Sequence, residues 1–404
     1  MTVAKIIFLN RYFFPDHSAT SQLLTDLAFD LASRGREVHV ITSRQRYDEP
    51  GARLPPQETI RGVTVHRVWT STFGRGRLAG RTLDYLTFYL SAGWALFRLA
   101  RAGDVVVSKT DPPLLSLVAG PVTRLKNARL VNWLQDIFPE IAGVAGMGWA
   151  KTALGRFLAR LRDWTLRSAE TNVVLSTAME QYLLSRGIGM ERVRVIPNWA
   201  DGESIRPVAA PDNDLRKSWR LEGKFVVGYS GNMGRVHEFE TILEAAAELK
   251  EEDGVVFLFI GDGAQRNWIE HRVRELGLGN VLFQPYQPRE ALSKSLSLPN
   301  AHLVSLLPTA EGYVFPSKLY GILAAGRPVI FIGESNGEIA RLIHEAECGY
   351  AVQAGDASRL TATITRLNGD PEMCGRLGEN ARRLFDDRFD KRLAFAAWEK
   401  VLNS

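Results

Sequence analysis

The 404-residue sequence predicts an α/β protein of two doubly wound domains, each on a parallel sheet, facing a central cleft. Three observations carry that expectation. At roughly 150 residues per domain, the length suits two domains of about 200 residues each. The first 45 residues read strand, loop, helix, strand, which is a βαβ unit. A second βα series opens at Lys224.

In chain order, Lys5-Ile6-Ile7-Phe8-Leu9 is a β-rich apolar run, and a loop follows from Asn10 to Thr20. Leu23, Leu24, Leu27, Ala28 and Leu31 then recur at helical spacing until Gly35 stops the helix. Val38 to Thr42 is the next strand, and further strands are predicted over 63–69, 104–108, 129–134, 171–175 and 193–196. Helices fill the gaps at 82–102, 113–126, 150–168 and 177–186. Pro197 to Gly202 is a turn-rich connector. The second series reads strand 224–229, helix 239–251, strand 255–260, helix 264–276 and strand 280–283. It continues with strand 301–306, helix 317–325, strand 327–332 and terminal helices after 356. The expected domains are 1–200 and 201–384, with 385–404 a helix crossing back to the first.

Apolar residues make up 45% and charged residues 24%, ordinary for a globular protein with two cores. Cys348 and Cys374 are too few for a disulfide framework and lack zinc-ligand spacing, so a cytosolic chain is expected. Met1 to Asn10 reads as a strand, not a leader. No 18-residue apolar span is present; Tyr85 to Ala100 comes closest and is interrupted by Arg98. Residues 1–200 hold 26 Lys/Arg and 16 Asp/Glu, a net of +10, whereas 201–404 hold 24 and 29, a net of −5. That asymmetry points the first half at something anionic. The segment from Arg75-Gly76-Arg77 to Arg101 mixes Arg with Leu83, Leu86, Phe88, Trp94 and Phe97. The helix from Lys151 likewise carries Arg156, Arg160 and Arg167 beside Leu154, Phe157 and Trp164. Basic amphipathic helices of this kind suit an anionic membrane surface.

Four strand-end motifs carry candidate chemistry. In a doubly wound sheet, ligands sit beyond the carboxyl ends of strands, at helix N-termini. The first loop ends Asp16-His17-Ser18-Ala19-Thr20, with Ser18 or Thr20 placed to cap the following helix. The second, Tyr229-Ser230-Gly231-Asn232-Met233-Gly234-Arg235-Val236-His237, has glycines for close backbone approach and Arg235 and His237 to face phosphate. Its spacing is not G-x-G-x-x-G, which counts against a dehydrogenase. The third is Gly261-Asp262-Gly263. The fourth, Pro316-Ser317-Lys318, opens a helix that Ala325-Gly326-Arg327-Pro328 closes. A Lys in a first turn is unfavourable beside the helix dipole unless an anion sits there too.

In their order and spacing these motifs, with Asp136-Ile137-Phe138-Pro139-Glu140 and Ile196-Pro197-Asn198-Trp199, resemble the retaining glycosyltransferases of family 4. Within them, the likeness is to bacterial surface-polysaccharide transferases of the fucosamine and colanic-acid type. The resemblance covers essentially the whole chain. It implies a GT-B fold of two Rossmann-like domains, with the donor on the second and the acceptor on the first. Gly231, Asn232, Gly234, Arg235, His237, Gly261, Asp262, Gly263, Ser317 and Lys318, with Ser18 opposite, would form the donor site. Glu311 would contact the sugar, and Asp136 would stand at the reacting centre. No metal or other cofactor is implied, because cationic side chains and helix dipoles take its role; the donor is expected to be UDP-linked. The expected partners are that donor, a lipid-linked or saccharide acceptor and the cytoplasmic membrane face, with no nucleic acid. The family's second glutamate falls on Gly321, Gln135 stands where many members have His, and Asn232 and His237 replace a diphosphate-binding Arg and Lys. A nucleotide-sugar 2-epimerase of the same architecture, or a non-catalytic binding protein, are the alternatives the sequence leaves open.

Overall fold

The computed structural model describes residues 4–16, 18–46, 49, 51, 53–73 and 78–403. His17, Arg75, Gly76 and Arg77, singled out above, lie outside the described residues. The N-terminal half contributes β1 (Ile6–Leu9), β2 (Val38–Ser43), β3 (Gln57–Ile60), β4 (Val63–Val68), β5 (Val105–Lys109), β6 (Arg129–Trp133), β7 (Thr171–Val174) and β8 (Val193–Val195). They form one sheet in the order β3-β4-β2-β1-β5-β6-β7-β8. The second sheet runs β11-β10-β9-β12-β13-β14. Its strands are β9 (Phe225–Ser230), β10 (Val255–Ile260), β11 (Val281–Gln284), β12 (Ala301–Ser305), β13 (Val329–Gly333) and β14 (Gly349–Gln353). Continuous runs such as Val-Val-Phe-Leu-Phe-Ile in β10 are buried throughout, as parallel strands covered on both faces require.

Helices cover both faces of both sheets. The first half has α1 (Ala19–Ser33), α2 (Leu78–Leu99), α3 (Ser116–Lys126), α4 (Glu140–Val144), α5 (Ala153–Ser168) and α6 (Thr177–Ser185). The second has α7 (Asp214–Ser218), α8 (Glu240–Glu248), α9 (Arg266–Glu275), α10 (Leu292–Ser297), α11 (Lys318–Ala324) and α12 (Glu338–Glu345). It ends with α13 (Ala357–Gly369), α14 (Pro371–Arg388) and α15 (Lys391–Asn403). On the first sheet, Phe88, Ala92 and Leu96 of α2 bury against Ile7, Leu9 and Val106 on one face. Leu24 and Leu27 of α1 pack on the other face with Phe395, Trp398 and Leu402 of α15. The last helix therefore completes the core of the first domain, and Trp398 lies 4.6 Å, centroid to centroid, from Trp133.

A separate apolar cluster joins the halves, bringing Ile137, Leu175 and Met179 together with Phe315, Tyr320 and Ile339. The chain crosses there as well: Ile137 donates its N–H to the Tyr313 carbonyl at 2.7 Å. The cleft floor is thus fixed by backbone pairing and apolar burial, and the strand-end loops project above it.

The structure differs from the sequence reading in a few places. β3 pairs antiparallel to β4 at the sheet edge, where the parallel pattern did not place a strand. Its Gln-Glu-Thr-Ile run is half exposed and carries no apolar stripe. α12 and β14 were also unforeseen, because Gly333, Gly337 and Gly349 break the pattern over 333–349. Ser18 and Ser317 occupy N-cap positions, but neither hydroxyl makes a capping bond. At α1 the Asp16 carboxylate takes the Ser18 N–H at 2.8 Å instead.

Candidate functional site

The second domain brings three of the motifs together. After β9 the chain turns at Gly231, whose φ of +127° L side chains rarely adopt. After β10 it turns again at Gly261 (φ +128°) and Gly263 (φ +154°). The two turns are stitched by Gly231 N–H to Ile260 O at 2.9 Å and Met233 N–H to Asp262 O at 2.8 Å. They pack so closely that a β-carbon on Gly263 would lie 2.6 Å from Asn232 Oδ1. Gln265 secures the far side, its amide donating to the Gly234 and His237 carbonyls at 2.7 and 2.9 Å. Asn232 and Arg235 stand exposed on the rim of this cluster, as does Ser317.

Lys318 enters the cluster from the first turn of α11. Its Nζ donates to the Tyr229 hydroxyl at 2.5 Å and lies 3.3 Å from His237 Nε2. The ammonium also sits 4.1 Å from the Tyr229 ring centroid, a cation–π contact. His237 Nδ1 lies 2.6 Å from the Ser305 carbonyl, which can only accept, so Nδ1 carries the proton and Nε2 receives from Lys318. Burial first, then the Lys318 charge, push the His237 pKa down to about 3, so the ring is neutral. Burial likewise lowers Lys318 to about 7. A lysine so placed is held by a phenol, a ring face and an imidazole, none of them an anion. An arriving phosphate would supply the missing charge.

The first domain meets this cluster with carboxylates. Asp136 follows β6 and forms an isolated bridge with Val314, four residues before Lys318. Burial, then the neighbouring Asp111, raise its pKa to about 7, against a hydrogen bond from Thr110. Its Oδ1 is buried without a hydrogen-bond partner. Beneath it Lys109 is fully buried, 3.4 Å from the Trp133 ring centroid, and donates to the Thr20 carbonyl at 3.0 Å. Gln135 and Asn198 exchange reciprocal amide hydrogen bonds of 3.1 and 2.9 Å beside it.

Glu311 takes a different position. Its carboxylate accepts from the N–H of Glu338 at the start of α12. Burial leads the causes that raise its pKa. Glu338 in turn reaches across to the N-terminus of α6, accepting from Thr177 N–H at 2.9 Å and Ala178 N–H at 2.7 Å. Two helix N-termini at the cleft are thus capped by the protein's own carboxylates. Ser18 lies on the first domain, its N–H bonded to Asp16.

In the sequence motifs Tyr229 has no role of its own, and Asp111, Lys109 and Glu338 fall outside all of them. Lys109 and Asp111 carried a usable signal, because Lys109 ends β5 and Asp111 follows it, on the side where ligands bind. Glu338 carried none. Its partners are backbone amides of Thr177 and Ala178, 161 and 160 residues away. Among the described residues, no group of three His, Cys, Asp or Glu side chains is arranged to hold a metal ion.

Two parallel-sheet domains with phosphate-suited loops across a cleft define a GT-B glycosyltransferase. Comparison with known proteins agrees. The family described as Glycosyl transferases group 1 matches residues 211–384, and the Glycosyl transferase 4-like domain matches 20–199. The chain is 30% identical over 294 residues to a protein of Pseudomonas aeruginosa named as the glycosyltransferase WbjE, covering 72% of this chain and 73% of that one. It is 28% identical over 354 residues to an Escherichia coli K12 protein named as the colanic acid biosynthesis glycosyl transferase WcaI, covering 84% and 85%. Among solved structures, Anabaena HepE in complex with UDP superposes with a TM-score of 0.75 at 16% identity, covering 99% of both chains. The chain belongs to the group 1 glycosyltransferases, with a GT4-like first domain. It is a glycosyltransferase enzyme.

Proposed function

We propose that the protein transfers a sugar from a UDP-linked donor to a hydroxyl of a lipid-linked saccharide, with retention, at the cytoplasmic face of the membrane. The observation that carries this reading is Lys318, held by Tyr229 and His237 beside the Gly231 turn with no ion pair among the described residues. HepE, of the same fold, has been solved with UDP and with UDP-glucose, which supports a uridine nucleotide. The naming of WcaI supports a surface-polysaccharide acceptor.

In this reading, Lys318 and the Gly231–Gly234 turn hold the diphosphate, and Arg235 on the rim adds a second positive charge. The bond from the anomeric carbon to the phosphate oxygen breaks as the acceptor oxygen bonds to that carbon. The departing phosphate oxygen takes the acceptor's proton, so no separate base is required and retention follows from attack on the same face. Preorganised positive groups aimed at the departing charge supply the rate enhancement. Asp136 orients the acceptor hydroxyl from the opposite domain, and Glu311 lies beside the sugar once its bond to α12 is exchanged for sugar hydroxyls. Lysine and amide dipoles take the place of a metal.

A thermal-shift screen of nucleoside diphosphates and UDP-sugars tests the donor. A bound nucleotide raises the melting temperature by mass action. UDP should shift it and UDP-sugar should be consumed with a lipid-linked acceptor. No shift with any nucleoside diphosphate would overturn the reading.

A further inference from the structure

The outer face of the first domain carries a feature that the transfer chemistry does not use. α2, α3 and α5 form one layer on one face of the eight-stranded sheet. Gly93 of α2 lets Val118 of α3 approach so closely that a β-carbon would lie 2.5 Å away. The Ser116 hydroxyl of α3 lies 3.0 Å from that of Thr165 on α5. The outward side of this layer is apolar. On α2, Leu83, Leu86, Leu90 and Trp94 follow one another at intervals of three or four, which is a single helical stripe. Leu90 and Trp94 are 76% and 63% exposed. α5 continues the surface with exposed Leu154, Phe157 and Trp164.

The charges on the layer are segregated by sign. Arg81, Arg98 and Arg124 are exposed on α2 and α3, and Arg156, Arg160 and Arg167 on α5. Of acidic residues the three helices have only Asp84 and Asp163, each 2% exposed. Asp84 faces inward to Arg11, 3.7 Å away, and to the Ser71 hydroxyl at 2.6 Å. Asp163 is held by Arg162 and Arg186 at 2.6 and 2.8 Å. Solvent therefore meets large apolar side chains and cations, with no exposed carboxylate on these helices. A water-facing surface would ordinarily intersperse both signs. The apolar margin also reaches the cleft end of the domain, where exposed Trp69 and Phe73 follow the carboxyl end of β4.

We infer that the α2–α3–α5 face is the membrane-docking surface, its apolar stripe entering the headgroup boundary and its arginines meeting anionic lipid phosphates. No helix of the described residues is long and apolar enough to cross a membrane, so the contact is lateral. A helix of 22 residues lies along about 33 Å of bilayer in this orientation. This inference rests on the lipid-linked acceptor proposed above. Docking here sets Trp69 and Phe73, and with them the acceptor side of the cleft, next to the bilayer that supplies the acceptor.

The test is co-sedimentation of the full chain with vesicles of phosphatidylcholine alone and of phosphatidylcholine with phosphatidylglycerol, at low and high salt. The parent protein should pellet with the anionic vesicles only, and less at high salt. Arg98→Gln and Arg124→Gln should each lower the partition coefficient about fivefold, the equivalent of about 1 kcal/mol per charge. Leu90→Ser with Trp94→Ser should abolish pelleting. All variants should keep the parent's thermal shift with UDP and its turnover of acceptor dispersed in detergent. A parent that stays in the supernatant, variants that pellet like it, or a dimer broken by Leu90→Ser with Trp94→Ser would overturn the docking surface. If detergent-dispersed acceptor is turned over normally in those cases, the transferase reading stands. Pelleting as described with no response to any nucleotide would instead overturn the donor reading and leave the docking surface in place.

Discussion

Gly231 and Lys318 share one narrow space. A β-carbon on Gly231 would lie 3.4 Å from Lys318 Cε, in contact with it, and the φ of +127° is one that L side chains rarely adopt, so the turn that meets the lysine favours glycine. Each motif looks weak alone; packed together, they make a cation-bearing loop pair.

Lys318→Ala should weaken donor binding with little change in the fold. A charge-assisted phosphate contact contributes roughly 1.5–3 kcal/mol, or about 10- to 150-fold in affinity. Titration calorimetry with UDP measures this directly. Unchanged affinity in a folded variant would move the diphosphate elsewhere.

Donor binding should also take up protons. Without ligand, Lys318 titrates near pH 7, and a neighbouring phosphate raises that value by favouring the charged form. At pH 8 the bound complex therefore holds more protons than the free protein, and affinity falls as pH rises above about 7. Calorimetry in buffers of different ionisation enthalpy should reveal the uptake, and Lys318→Met should lose the part that this residue contributes.

Asp136→Asn should cost activity and yet stabilise the protein at alkaline pH. The folded-state pKa of Asp136 is raised to about 7 from 3.8, so the folded state favours its protonated form. Its contribution to stability is present below pH 3.8 and is lost as pH rises toward 7. Asparagine has no such charge to bury. Melting curves at pH 5 and pH 8 should show the variant gaining on the parent at the higher pH. An unchanged difference between the two pH values would place the Asp136 carboxylate in solvent.

Gly261→Ala should damage both stability and donor binding. The new β-carbon would lie 2.3 Å from the Gly231 carbonyl oxygen, which is backbone and cannot rotate away. With φ at +128°, the expected cost is roughly 1–3 kcal/mol. Gly277→Ala, in an open turn with nothing within 4 Å, is the comparison, since it tests positive φ without the clash. A Gly261 variant no worse than the Gly277 variant would show that the two turns do not need their close approach.

The sequence made the repeated βα units, the glycine turns and the Pro316-Ser317-Lys318 helix start legible, because each is a local pattern. It concealed whatever depends on a distant partner. Ser317 looks like a cap, yet its hydroxyl caps nothing. Motif position singled out Glu311 but gave no hint that its carboxylate meets Glu338 N–H, 27 residues further on. Tyr229 is an ordinary strand residue until Lys318, 89 residues later, comes to rest on its ring. Polar β3 escaped for another reason: an exposed edge strand needs no apolar alternation.

The final helix has a consequence for how the chain is made. Trp398, Val401 and Leu402 belong to the same buried cluster as Ile6 and Phe8, and Arg129 bonds the Val401 and Leu402 carbonyls. On a ribosome adding about 5–20 residues per second, the first 200 residues wait at least about ten seconds for the last ones. Until α15 has emerged from the ribosome, the nascent first domain presents Trp133 and its neighbours to whatever is near. A stop codon before residue 391 would leave the opening half of the protein, which was synthesised first, with an unfilled core.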